Sequence, residues 1–466
     1  MQMIMGAVNG ESWFFSAYSR SVRSIMMRHA ARYDLESGRW YLPLPLTKAL
    51  IDELESKGHE IEGKEQARTA LSRLYNQLGL STAPNLDAWP NAPDMPAELR
   101  PYQQVGVLMA AHECDGRCLL ADEQGLGKTV QAIVAMEALQ ARRVVVVAPN
   151  SLHENWRREI ETWTGRRAYV NKSGSDEKTR DEAIAIVSYG CAGKVELGQR
   201  DGLIIDEAHY VKNPSSSRHR AVVAIADQCR YVLALTGTPI FSMAAELWAL
   251  MRVVKGERCM SYDAYKYRYG GAVKGRNGQV FYRPPNHQKE LNLLLRSFSV
   301  RRTKSQVLKD LPALTKQVVY LRQADGMTFI ESRIRDLLGK YDSPADLIKA
   351  IARGRIKLGG DIFRSYTDNA EERLDDALLF DYVRDALADG EKTLIFAKHR
   401  AMIAKLEAEL AADGRQSITI HGDIPVKKRQ ELVDQFNAEK KMSAAVLSLM
   451  AAREGLNLQS ASRVIF

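Results

Sequence analysis

Long apolar runs are missing from this 466-residue chain. Stretches such as Val144–Ala148 and Ala183–Val187 reach only strand length, far short of the ~20 residues that a bilayer-crossing helix needs. The first residues, MQMIMGAVNGESWFF, have no basic start, and Asn9, Gly10 and Glu11 interrupt their apolar stretch. A membrane span and a secretory leader are therefore not expected, and the chain is read as intracellular, in cytoplasm, nucleoid or nucleus according to its source. Cysteine is scarce. The five thiols (Cys114, Cys118, Cys191, Cys229, Cys259) form an odd set with no second CxxC-like pair, which fits reduced thiols better than a disulfide or zinc scaffold. Low-complexity tracts and short repeats are absent too, and 45% apolar with 26% charged residues is ordinary globular usage, which excludes disordered, collagen-like and coiled-coil chains.

What is present is enough chain for two or three domains. After a mixed N-terminal stretch and a Pro-rich hinge, APNLDAWPNAPDMPAE (83–98), apolar runs alternate with amphipathic segments. RCLLA (117–121), VVVVAP (144–149), AIAIVS (183–188), GLIID (202–206) and YVLALT (231–236) read as buried strands, with helices over Lys128–Arg142 and Ser151–Thr164. The pattern returns in KTLIFA (392–397), QSITIHG (416–422), AAVLSL (444–449) and RVIF (463–466), with helices over Ala401–Ala412 and Lys427–Glu439. Continuous apolar strands between helices predict parallel sheets covered on both faces. The fold class is therefore α/β, with two lobes and a small N-terminal extension. The expected division is an extension over 1–97, a first lobe over 98–318 with a protrusion at about 243–300, and a second lobe over 319–466 with a helical insertion at about 325–385.

The net charge of +9 decides little, but its placement is uneven. Met251–Lys304 holds 13 Lys and Arg against three acids, more than the whole chain's excess. Within it, SYDAYKYRYG alternates Tyr262, Tyr265, Tyr267 and Tyr269 with Lys266 and Arg268, the mixture of rings and cations that nucleic-acid surfaces use. The competing reading is a solvated basic face whose tyrosines fill a local core.

Three strings carry chemistry. ADEQGLGKT (121–129) follows a strand and opens a helix, so backbone N–H groups can receive phosphate oxygens, Lys128 can neutralise them and Thr129 can hold Mg²⁺. The usual wording starts with glycine six residues before the lysine, where this chain has Asp122. LIIDEAH (203–209) puts Asp206 and Glu207 at the end of a buried strand, where one acid can orient Mg²⁺ and the other polarise water. LTGTPI (235–240) ends the next strand with hydroxyls able to sense the nucleotide. Together they specify phosphoryl transfer.

The order LRPYQ (99–103), DEQGLGKT (122–129), DEAH (206–209) and LTGTP (235–239) resembles superfamily-two motors. APNSLHENWRREI (148–160), DEAHYVKNPSSSRHRA (206–221) and SFSVRRTKSQVLKDLP (297–312) narrow the resemblance to the Swi/Snf family of double-stranded-DNA translocases. KTLIFAKHRAMI (392–403), HGDIPVKKRQELVDQF (421–436) and LSLMAAREGLNLQSASRVIF (447–466) follow it in the second lobe. The short middle region and Ala451–Ala452 resemble the annealing-helicase branch, and YDLESGRWYLPLPLTKALIDELE (33–55) is similar to that branch's HARP module, a small DNA-binding unit.

The resemblance implies two RecA-like lobes, ATP and Mg²⁺ as cofactors, and double-stranded or forked DNA as partner, engaged by a monomer. It implies that Gln103 reads adenine, that Asp122, Gly125, Gly127, Lys128, Thr129 and Val130 form the nucleotide cradle, and that Thr129 and Asp206 hold the metal while Glu207 holds the water. DNA contacts are implied at Asn150, Ser188, Tyr189, Thr238, Arg301 and Arg302, and at His421, Gly422 and Asn457. Arg453 stands where relatives carry glycine or asparagine. The family's paired arginines lie beyond a strand ending in VIF, where this chain stops at Phe466, so the sequence looks clipped. The expected function is an ATP-dependent DNA translocase or annealing-helicase-like ATPase. The alternatives are a DNA-binding ATP sensor without turnover, a strand-separating helicase, or the motor of a restriction or defence system.

Overall fold

Residues 2–8, 11–15, 20–80, 83, 85–88, 95–171, 178–237, 244–270, 272–274, 280–282, 287–310, 315, 317, 376–449, 456 and 458–466 are described by the structure, a computed structural model. They fall into two compact units, Met1–Pro312 and Ala313–Phe466.

Val144–Ala148 explains the centre of the first unit. Its β-branched residues suit extended backbone, and all five are buried, as befits a strand covered on both faces. We number the unit's strands β1 (Gln2–Val8), β2 (Glu11–Phe15), β3 (Arg32–Asp34), β4 (Arg39–Pro43), β5 (Glu60–Glu62), β6 (Arg117–Leu120), β7 (Val144–Ala148), β8 (Tyr169–Val170), β9 (Ile184–Ser188), β10 (Gly202–Ile205), β11 (Tyr231–Leu235), β12 (Ala272–Lys274), β13 (Val280–Tyr282) and β14 (Ser299–Val300). The main sheet has the order β14-β6-β11-β10-β7-β9-β8, with every pair parallel. This order lays the carboxyl ends of β6, β11 and β10 side by side, the edge at which open α/β sheets hold ligands.

The helix after β6, Lys128–Ala138, starts behind Gly127, whose left-handed backbone (φ 74°) suits glycine. The helix His153–Thr164 turns His153, Trp156 and Ile160 inward and ends on left-handed Gly165, a common helix stop. Ser216 caps Ser217–Ala226 by accepting from the His219 N–H.

The N-terminal stretch forms a second sheet, ordered β3-β4-β2-β1-β5, with helices Arg20–Arg28, Thr47–Ser56 and Lys64–Leu80. Its core residues Met5, Phe14, Met26, Leu42 and Leu50 belong to one apolar cluster with Tyr265, Tyr269, Leu294 and Phe298 of the basic segment. The fully buried Tyr265 and Tyr269 therefore correct the nucleic-acid reading of SYDAYKYRYG. Arg268 is buried as well, doubly bonded to Glu290, and donates to the Arg28 carbonyl (3.0 Å). Of the four tyrosines only Tyr267 has a mostly exposed side chain, at 64%. Burial won because the segment roofs a core that the N-terminal sheet completes. The described part of the hinge is also packed rather than free, since Ala83, Leu86 and Met95 lie against the core of the main sheet.

The second unit carries a four-stranded parallel sheet of Gln416–Ile420, Met442–Ser448, Thr393–Ala397 and Arg463–Ile465, in that spatial order. Helices Asp376–Ala386, Arg400–Ala412 and Val426–Ala438 accompany it. The expected insertion lies outside the described residues as far as residue 375. Among the described residues no helix is long and apolar enough to cross a membrane.

Candidate functional site

The loop after β6 is shaped by its glycines. Gly125 (φ 84°) and Gly127 (φ 74°) take left-handed backbone that a side chain would resist, and a Cβ on Gly127 would lie 2.3 Å from Gln103 Nε2. The Gln103 amide is thus pressed on the loop, donating to the Leu126 carbonyl (3.3 Å) while its oxygen accepts from Arg100 N–H (2.9 Å). Lys128 Nζ folds back onto the loop, donating to the carbonyls of Asp122 (2.9 Å) and Glu123 (3.4 Å). Burial pushes its pKa down, while the carboxylates of Asp122, Glu207 and Asp206 push it back up. The amine stays within electrostatic reach of both acids at the end of β10.

Those acids differ in setting. Asp206 accepts from Trp156 Nε1 (2.7 Å) and from the Glu207 N–H (2.8 Å), and burial raises its pKa to about 6. Glu207 follows in left-handed backbone (φ 49°), a strained geometry for a non-glycine residue. Its Oε2 is buried without a hydrogen bond and lies 3.2 Å from His209 Nδ1. Trp156 and Glu207 are what a cation site at Asp206 needs: a donor that fixes one carboxylate oxygen, and a second acid with an unsatisfied atom.

Several implied contacts land elsewhere. The Asp122 side chain does not face the cradle; it is fully buried against Arg302, which is equally buried. Arg302 N–H and Nε both donate to Asp122 Oδ1 (2.9 and 3.0 Å), and its other nitrogens reach Gln131 Oε1 (2.8 Å) and the Tyr102 carbonyl. Arg302 is therefore no DNA contact, because its guanidinium is fully buried and bonded within the core, out of reach of a phosphate. Gly106 admits this cluster, since a Cβ there would lie 1.8 Å from Gln131 Oε1.

Tyr189 is buried too, donating its hydroxyl to the Asp206 carbonyl (2.5 Å) and stacking on Tyr210, so its side chain is not open to a ligand. The Val130 side chain is buried in the core. Asn150 is exposed, Ser188 is half-buried, and Arg301 is exposed while donating to the Ala121 carbonyl (2.9 Å). In the second unit, His421 is half-buried and Gly422 exposed at the end of Gln416–Ile420. Thr238, Arg453 and Asn457 lie outside the described residues.

Sequence reasoning assigns no role to Trp156, Gln131, Gly106 or Tyr210. Trp156 leaves a signal, because an indole at an inward helical position needs an acceptor.

The model of the SNF2-related domain matches residues 86–328. The chain belongs to the SNF2 family. The helicase conserved C-terminal domain matches residues 374–466. Similar proteins include the SWI/SNF-related matrix-associated actin-dependent regulator of chromatin subfamily A-like protein 1 of Xenopus tropicalis, 30% identical over 452 residues, covering 93% of this chain and 46% of that one. The DNA annealing helicase and endonuclease ZRANB3 of Bos taurus is 28% identical over 431 residues, covering 88% and 38%. The chain thus spans less than half the length of these two relatives. The Sulfolobus solfataricus SWI2/SNF2 ATPase core in complex with dsDNA aligns with a TM-score of 0.44 at 22% identity, covering 80% of this chain and 82% of that one.

Proposed function

We propose that this SNF2-family chain is a DNA-dependent ATPase that moves along double-stranded DNA and anneals or remodels forks. The observation that carries the reading is that the strand order β6-β11-β10 brings the Lys128 loop and the Asp206–Glu207 carboxylates to one edge of the sheet, within electrostatic reach of each other, on a loop whose glycines take left-handed backbone. Lys128 would exchange its two loop carbonyls for phosphate oxygens, and Gln103, held against the loop, would turn its amide to an adenine edge. Thr129 and Asp206 are the residues to hold Mg²⁺, which when bound neutralises charge on the phosphates. Trp156 keeps Asp206 oriented for that role. Glu207, with its unsatisfied oxygen, is the group to orient and polarise the attacking water.

DNA is assigned to the backbone around Asn150, Ser188 and Tyr189, to Arg301, to His421 and Gly422, and by resemblance to Thr238 and Asn457. The N-terminal sheet supports a HARP-like role for residues 1–97. Arg39 lies over the Trp13 ring (4.3 Å) and Arg32 over that of Tyr41 (5.2 Å). The β2–β4 and β3–β4 pairings put Trp13, Tyr41 and Arg32 on one face, which Phe15 shares with half its surface exposed. Rings beside guanidinium groups suit bases and phosphates. Because phosphate contacts position without reading bases, movement should be independent of sequence.

Displacement of a triplex-forming third strand from duplex DNA tests the translocase reading. ATP-dependent displacement from unrelated duplex sequences is expected; ATP hydrolysis stimulated by DNA without displacement would leave an ATPase that does not translocate.

A further inference from the structure

Past the end of β6 the P-loop does not stand alone. The Leu119, Ala121 and Glu123 N–H groups donate in turn to the carbonyls of Phe298 (2.8 Å), Val300 (2.7 Å) and Arg302 (2.9 Å). The ladder between β6 and β14 therefore runs on into the loop, and residues 298–302 lie alongside its rising half. The buried Arg302–Asp122 pair pins this register, since a slip of one residue would leave a guanidinium unpaired in the core. Two residues on, the Lys304 N–H donates to Glu123 Oε2 (2.7 Å), fixing the backbone of Lys304 against the loop.

The Lys304 side chain then reaches over Gly125. Its Cε and Nζ would lie 3.3 and 3.4 Å from a Cβ built on that glycine. No ion pair engages Lys304 among the described residues, whereas Lys128 occupies the carbonyls of Asp122 and Glu123 on the same loop. Arg301 adds to the positive field at Lys128. Two ammonium groups converging on one turn repel one another until a polyanion joins them.

We propose that Lys304 is a second phosphate-binding lysine of the P-loop, delivered to Gly125 by the Arg302–Asp122 pair. The inference rests on the nucleotide-binding reading of Lys128 and adds a cation that comes from the segment after β14. Its ligand class is the phosphate tail of a nucleoside di- or triphosphate.

The test is the affinity of the whole chain, with Mg²⁺ present, for ATP and, by competition, for adenosine. Wild type, Lys304→Gln, Lys304→Arg and Lys128→Ala are compared. Lys304→Gln should weaken ATP about tenfold, the order of one charge-assisted hydrogen bond. It should leave adenosine affinity and the nucleotide-free unfolding midpoint unchanged, and Lys304→Arg should bind ATP close to wild type. Undiminished ATP affinity in Lys304→Gln, or equal losses for ATP and adenosine, would overturn the assignment. If Lys128→Ala alone loses ATP, the P-loop reading stands and Lys304 leaves it; if wild type binds no ATP, both fall.

Discussion

Arg302 and Asp122, 180 residues apart in sequence, form an ion pair from which solvent is fully excluded. Asp122 occupies the place where P-loop wording has its first glycine, so the departure visible in sequence is the anchor of a core cluster. Removing one partner of such a pair costs about 3–5 kcal/mol, whereas replacing both with apolar groups is often neutral. Arg302→Met should therefore lower the urea-unfolding free energy of the first unit by about 3–5 kcal/mol, and Arg302→Met with Asp122→Leu should recover most of it. A single substitution costing less than about 1 kcal/mol would mean that the pair contributes no more than a surface bridge.

The ring-and-guanidinium face of the N-terminal sheet makes a separable prediction. Arg32→Gln with Arg39→Gln should weaken forked-DNA binding and reduce the steepness of its salt dependence by about one to two phosphate contacts. Fluorescence anisotropy at several salt concentrations reads both. An unchanged salt slope would remove this face from the DNA path.

Acid should destabilise the fold through buried imidazoles. His153 donates from Nε2 to the Ala148 carbonyl (3.1 Å), and burial lowers its pKa below 6.5; His29 and His219 are lowered by burial too. A histidine with a depressed folded-state pKa contributes stability that is complete above the unfolded value and is lost as pH falls through and below it. Asp206 and Glu11, raised by burial, push the other way, so comparison with a variant is needed to isolate the effect. Between pH 6.5 and 5, wild type should lose stability faster than His153→Gln, by up to about 1.4 kcal/mol per pH unit. Parallel pH profiles in urea unfolding would contradict this.

Much of the fold and of the site is legible in the order of the residues alone. Val144–Ala148 and Gly202–Ile205 announce themselves as strands because apolar residues buried on both faces leave an uninterrupted run. The strings around Lys128 and Asp206 carry their chemistry locally. What stays hidden depends on residues far apart in sequence. Arg302 reads as a cation for DNA until the register of β14 beside β6 puts it against Asp122, and the tyrosines of SYDAYKYRYG read as a stacking surface until the N-terminal sheet covers Tyr265 and Tyr269. Periodicity cannot show which side of a helix a second sheet will claim.

On the proposed function, Lys128, Asp206 and Glu207 act as one hydrolytic site whose turnover DNA stimulates. Phosphate release from ATP, with and without duplex DNA at low salt, tests it in wild type and Glu207→Gln. Release that DNA stimulates is expected, with at least a ~100-fold loss in the variant, as follows when a general base is removed. Equal release from both proteins, or release indifferent to DNA, would contradict it.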